Sequence, residues 1–195
     1  MNGATRRFFL RSPAEVARDL IGCELIRHDS EGPTGGIIVE TEAYLAQGDP
    51  ASHSHRGLTP RNRSMFGKPG LVYVYTIHSR YCFNMVTEGA EIGSAVLVRA
   101  LEPTVGIDLM RRRRGKEKLL DLARGPARLC EALAIDRSLD GHDLVASEVF
   151  SLRRRLRPLD NVVSSPRIGI SSAKELLLRF SIEGSRYVSR RPSRR

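Results

Sequence analysis

Between Gly35 and Leu45 the chain alternates with a period of two, placing Ile37, Val39, Thr41 and Ala43 on one side and Ile38, Glu40, Glu42 and Tyr44 on the other. A period of two belongs to a strand, so this run predicts a strand over residues 35–45 with two acids and an aromatic on one face. Three further β-branched and aromatic runs, at 71–77, 81–87 and 94–101, are separated by turn residues in the manner of an antiparallel meander. Glu102-Pro103 is expected to end the last of them.

Short helices flank these strands. Ser12-Pro13-Ala14-Glu15 offers a capping Ser, a Pro at the first helical position and a Glu three residues after the cap, with Gly22 as a stop. Residues 105–114 and 126–134 predict two more helices, and the arginines closing the first suit the negative end of its dipole. Residues 168–170 and 178–183 read as late strands. Residues 47–69 carry His, Gly, Pro, Asn and Arg with no sustained period, which predicts a long functional loop.

The chain has 195 residues, enough for one sizeable core, and its charged fraction of 28% is mixed in sign over most of the length, which suits folding better than disorder. The expected fold class is therefore mixed α/β (α+β), a single domain over residues 1–195. A curved, mainly antiparallel sheet is surrounded by short helices and long loops, and residues 1–8 and 190–195 are expected to be flexible ends.

The formal net charge of +10 favours a polyanionic partner, because cationic side chains that neutralise phosphates release condensed counterions. Counting gives 28 Arg against 4 Lys, and Arg can grip a phosphate with two parallel bonds. Cys23, Cys82 and Cys130 are odd in number and lack paired spacing, which argues against a disulfide framework and predicts buried, reduced thiols. The apolar run from Phe8 to Leu10 is too short for a signal-peptide core, and no later stretch approaches a membrane span. A cytoplasmic protein, in bacterial cytoplasm or nucleoid, with no membrane partner is expected.

The chemistry-bearing residues gather around the long loop: Glu40-Thr41-Glu42-Ala43-Tyr44, His53, Thr59-Pro60-Arg61-Asn62-Arg63 and Tyr73-Val74-Tyr75. With Tyr81-Cys82-Phe83-Asn84, Arg99-Ala100-Leu101-Glu102-Pro103 and Gly125-Pro126-Ala127-Arg128-Leu129-Cys130, the series resembles the 3-methyladenine (alkyladenine) DNA glycosylase family. The matches run in order from about Asp19 to Ser189.

The resemblance implies a monofunctional enzyme of base-excision repair. It would flip alkylated or deaminated purines out of duplex DNA and hydrolyse the N-glycosidic bond, leaving an abasic site. Glu42 matches the family's water-activating acid, a role that suits cleavage through a cationic, oxocarbenium-like transition state. Arg99 matches the arginine that helps hold the water and the nucleotide's phosphate. Tyr44, His53 and Tyr75 match the walls that sandwich the extruded base, and Asn84 matches a position that crowds the exocyclic amine of normal guanine. Taken without the resemblance, Glu42 could equally be a salt-bridge partner, Arg99 a strand-end ion pair with Glu102, and the aromatics ordinary core.

Where the family inserts a Tyr into the gap left by the base, this chain has Thr76-Ile77-His78-Ser79-Arg80, one residue shorter and lacking the Tyr-Gly pair. His78 and Arg80 are the nearest wedge candidates. Arg61, Arg63 and Lys68 are candidates for phosphate contact, and residues 168–171 resemble a stretch whose backbone touches the water. No cofactor is implied. His53 and His55 lack a third ligand at a characteristic spacing, so no metal is expected. The expected partner is double-stranded DNA containing damaged purines, bound by a monomer. The competing reading is a non-catalytic module on the same scaffold that binds damaged DNA or RNA.

Overall fold

A computed structural model describes residues 3–155 and 159–190. Helix α1 (Arg6–Phe9) is followed by α2 (Pro13–Leu20), then strands β1 (Glu24–Asp29) and β2 (Gly32–Tyr44). After the long loop come β3 (Val72–Ile77), β4 (Arg80–Thr87) and β5 (Ser94–Val105), helices α3 (Ile107–Arg114) and α4 (Pro126–Ala132), and the short strands β6 (Phe150–Arg153), β7 (Val162–Ser165) and β8 (Arg179–Ile182). The eight strands form one sheet in the order β3-β4-β5-β2-β1-β6. The far half of β2 pairs β8, which pairs β7, and every pairing is antiparallel. The α+β class expected from the sequence is the one observed.

Local chemistry explains the elements. Ser12 Oγ accepts from Glu15 N–H while the Glu15 carboxylate accepts from Ser12 N–H, the reciprocal cap expected at the start of α2. From this helix Val16, Ala17 and Leu20 enter the main core beside Ile38, Ala43, Val74, Phe83, Met85, Val96 and Val98. The alternate residues Tyr73, Tyr75, Cys82, Val86, Ala95 and Leu97 form a second cluster with Met65 of the long loop. The sheet therefore has an apolar face under α2 and a second face under the loop at 47–69.

Several expectations need correction. Strict alternation along β2 puts Ile38 with Glu40 and Glu42, yet Ile38 lies in the main core, as does Ala43. A register shift between Ile38 and Glu40 supplies the extra residue that reverses the pattern, a bulge that turns both acids away from the core. Strand β5 runs through Glu102-Pro103 to Val105, because Pro103 lies opposite Gly36 at an irregular position of the ladder. Residues 168–170 are not a strand, and β1, β6 and β7 form where no strand was expected. Residues 6–8, expected in a loose end, form α1 with Phe8 and Phe9 buried. The expected loose end at 190–195 lies outside the described residues beyond Arg190.

The basic run closing α3 is bound up in ion pairs. Arg112 reaches Glu31, Arg113 reaches Asp29 and Glu31, and Arg114 reaches Glu131.

Gly36 allows the closest approach within the sheet, since a methyl group built there would sit 2.0 Å from the Glu102 carbonyl oxygen. Gly36→Ala should push β2 from β5 and cost about 1–3 kcal/mol, read as a lowered urea midpoint. An unchanged midpoint would show that the ladder relaxes freely.

Candidate active site

Directly opposed residues of neighbouring strands share a face, and one row crosses five strands: Tyr73 on β3, Asn84 on β4, Leu97 on β5, Glu42 on β2 and Arg179 on β8. Tyr75, Arg99, Glu40 and Tyr44 lie two residues from members of this row and so project from the same face. The topology thus gathers groups far apart in the chain.

Glu42 is fully buried. Its Oε2 accepts from the Arg99 guanidinium at 3.1 Å and from the Tyr44 hydroxyl at 3.0 Å, and its Oε1 accepts from Ile168 N–H at 2.7 Å. All three partners are donors, the arrangement that suits a carboxylate. Burial pushes the Glu42 pKa above the ordinary carboxylate value, opposed by Arg99, the Ile168 N–H and the Tyr44 hydroxyl.

Arg99 pairs with two acids, and neither is Glu102. Its Nε donates to Glu40 Oε1 at 3.2 Å. Glu40, also fully buried, accepts from Arg179 Nε at 2.7 Å and from the Ser189 hydroxyl at 2.8 Å, and Ser189 N–H closes the set. The result is a buried network of two carboxylates and two guanidiniums. Opposite charges at such distances hold one another in place, and removing one member leaves the others uncompensated.

Tyr44, whose hydroxyl donates to Glu42, lines a cavity of about 230 Å³ whose lining also includes His53, Tyr73, Tyr75, Asn84 and Gly169 but not Glu42 itself. The His53 and Tyr75 rings meet edge to face with centroids 4.5 Å apart, and His53 Nδ1 lies 2.9 Å from the Tyr73 hydroxyl. These two rings form one wall. Tyr44 lines the same cavity from β2, and the Arg167 guanidinium covers one face of its ring at 4.7 Å from the centroid. Burial, aided by Arg61, lowers the His53 pKa and keeps the imidazole neutral at physiological pH. Burial raises the hydroxyl of Tyr73 to about 12, so it remains protonated. The Asn84 amide donates to the carbonyls of Tyr73 at 2.9 Å and Cys82 at 3.2 Å, which fixes its orientation.

His78 and Ser79 form the two-residue turn between β3 and β4 with φ of 45° and 61°, both left-handed as a tight hairpin requires. His78 and Arg80 are exposed on that hairpin, and Arg80 lies 3.8 Å from Glu131. The neighbouring Ile77, 48% exposed, lines the aromatic cavity, whereas His78 does not. Arg61 donates to the Thr76 carbonyl at 2.6 Å, tying the long loop to this hairpin. Arg63 and Lys68 are exposed and do not line this cavity.

Sequence reasoning overlooked Arg167. Its side chain and that of Asp49 are wholly buried, joined by two bonds of 2.6 and 2.7 Å, and Arg167 also donates to the Ala43 carbonyl. It also assigned no part to Arg179 or Ser189. No local pattern marks them, because their partners are remote in sequence. Glu40 did carry a signal, the strand parity it shares with Glu42. Among the described residues no group of three His, Cys, Asp or Glu could hold a metal ion, all three cysteines are free and buried, and no helix is long and apolar enough to cross a membrane.

The family model for Methylpurine-DNA glycosylase (MPG) matches residues 7–186. A protein of Rhodopirellula baltica that carries the provisional name 3-methyladenine DNA glycosylase is 50% identical, covering 96% of this chain and 86% of its own length. Similarly named proteins of Methanoculleus marisnigri and Carboxydothermus hydrogenoformans are 50% and 44% identical, covering 94% and 95% of this chain and 97% and 98% of their own lengths. A family match over nearly the whole length, together with relatives at this level of identity, means that the chain belongs to the methylpurine-DNA glycosylase family.

Proposed function

We propose that this chain is a monofunctional DNA glycosylase that acts as a monomer in the cytoplasm or nucleoid on duplex DNA. It takes a 3-methyladenine-type purine into the aromatic cavity and hydrolyses its bond to deoxyribose. The observation that carries this reading is a buried, donor-surrounded Glu42 carboxylate bonded to Tyr44, which walls a cavity together with His53 and Tyr75.

In the proposed reaction the C1′–N bond breaks and its electron pair leaves with the purine, which departs neutral when the lesion is cationic. A water oxygen bonds to C1′, and Glu42 takes the water's proton. Arg99 opposes the burial that favours protonation of Glu42. The open face of Tyr44 and the His53–Tyr75 wall offer stacking worth about 1–3 kcal/mol per base, which offsets part of the cost of extrusion. A neutral His53 does not repel a cationic base. The pinned Asn84 amide cannot swing aside, so it disfavours a purine with an extra exocyclic amine. Glu42 has no exposed surface in the free protein, so engagement of the sugar requires Tyr44 or the irregular segment at 168–172 to give way.

The test is single-turnover incubation with duplexes that each bear one modified purine. Release of free purine with an intact, abasic strand is expected. Tight lesion binding without release would favour the non-catalytic reading.

The acid limb of the rate profile offers a further check. Glu42 must be ionised to accept a proton, and its raised pKa means that it protonates at a higher pH than an ordinary carboxylate. Single-turnover release should therefore fall, as pH is lowered, at a point above the ordinary Glu value of about 4.3. A rate constant down to pH 4 would exclude Glu42 as the base.

A further inference from the structure

Arg99 is held at every guanidinium nitrogen. Nη1 donates to Glu42 at 3.1 Å, Nε to Glu40 at 3.2 Å and Nη2 to the Ser189 hydroxyl at 3.5 Å. A guanidinium is a rigid planar fork, so bonds at separate nitrogens fix both its place and the tilt of its plane. Glu42 supplies only one of these bonds.

The other two trace back to one residue. Glu40 has no exposed surface and accepts four bonds, from Arg99, from Arg179 and from both the hydroxyl and the N–H of Ser189. Arg179 in turn donates to the Arg190 carbonyl, and Val188 anchors the same segment by its burial. A strap at Ser189–Arg190 is thus fastened to β2 at a carboxylate 149 residues earlier in the chain.

We propose that Glu40 is a positioning residue for purine release, coupling the Ser189–Arg190 strap to Arg99 and so setting the angle at which Arg99 meets Glu42. The role rests on the glycosylase reading and deepens it, because Glu40 acts through Arg99 and not on the purine.

The charge of Glu40 has a second, separable effect. It adds to the burial that raises the Glu42 pKa. Besides Glu40, the groups that face Glu42 are Tyr44 on β2, Arg99 on β5, Arg179 on β8, Cys82 on β4 and Arg167 just ahead of Ile168. The arginines stay charged and Tyr44 and Cys82 stay protonated in acid, so removing the Glu40 charge lowers the pH at which Glu42 takes up a proton.

The deciding measurement is the pH profile of the saturating single-turnover rate constant, which an unfolded fraction of protein does not alter. Glu40→Gln should lower its plateau by up to about 100-fold, as a misplacement of about 1 Å can, and move the acid limb to lower pH. Glu40→Asp keeps the charge and lacks the reach, so its plateau should fall while its limb returns to the wild-type position. If Glu40→Gln does not fold, Ser189→Ala takes its place, removing two bonds of the strap and no charge. A lowered plateau with an unmoved limb is expected there.

A Glu40 that served stability alone would lower Tm and leave both plateau and limb unchanged. That result, in a protein whose wild type releases purines, would overturn the positioning role and leave the glycosylase reading intact. A moved limb with plateaus within twofold of wild type would overturn it equally, since Glu40 would then act by charge alone. Absence of release by the wild type would sink the glycosylase reading and this role with it.

Discussion

Glu42→Gln is expected to lower single-turnover purine release by roughly 10²–10⁴-fold, the span that a positioned general base contributes, while leaving lesion binding within a few-fold of wild type. The amide has nearly the volume of the carboxylate and keeps an oxygen for the Ile168 N–H or the Tyr44 hydroxyl. It cannot carry the negative charge that Arg99 meets at 3.1 Å, nor accept a proton from water. Loss of the charge should also remove the acid limb of the rate profile. Arg99 remains tied to Glu40 in this variant, so the cluster is weakened and not dismantled. Binding affinity for a duplex bearing one modified purine separates the outcomes. Release at the wild-type rate would show that Glu42 is a structural carboxylate, and loss of binding together with release would show that the substitution disrupts the cavity.

The largest stability effect is expected at Asp49. Its carboxylate meets the Arg167 guanidinium through two short bonds, and both side chains are wholly buried. Removing one partner of such a pair leaves the other charge dry and unpaired, which costs about 3–5 kcal/mol. For a chain of this size Asp49→Ala should lower Tm by roughly 6–20 °C. Because Arg167 backs the ring of Tyr44, base release should fall as well. A melting point within a degree or two of wild type would mean that Arg167 finds a new partner.

The same pair predicts how acid acts on the fold. Burial alone would raise the Asp49 pKa, but the bonds from Arg167 and the N–H groups of Leu45 and Ala51 outweigh it and hold the carboxyl below its ordinary value. A carboxylate depressed in the folded state contributes stability that is present above its unfolded pKa, near 3.9, and is lost as pH falls through its folded value. Wild type should therefore lose more stability than Asp49→Ala as pH is lowered below about 4.

Pattern in the chain went far in this molecule where the information is local. The helix at Pro13–Leu20 was legible because a capping box needs only four adjacent residues, and the meander was legible because alternation and turn residues lie side by side. Glu42, Arg99, Tyr44, His53, Tyr75 and Asn84 could be singled out through an ordered series of family motifs, and the fold brings all six to one face. Strands β1, β6 and β7 were missed because Glu24–Asp29 carries Arg27 and His28 within it and Phe150–Arg153 and Val162–Ser165 are only four residues long, so none shows clear periodicity.

By itself, the sequence determined the α+β class and the strand that carries both acids, since each follows from neighbours along the chain, whereas the residues of the aromatic cavity were marked through the family resemblance. Only the tertiary structure decided that a bulge beside Val39 turns Ile38 into the core and leaves Glu40 and Glu42 facing Arg99, that Arg167 and Asp49 pair across more than a hundred residues, and that Arg99 and Arg179 from separate strands converge on Glu40. The physical reason is common to all three. Register and ion pairing are settled by which strands and loops meet when the core closes, and residues remote in sequence carry no local mark of the partner they will find.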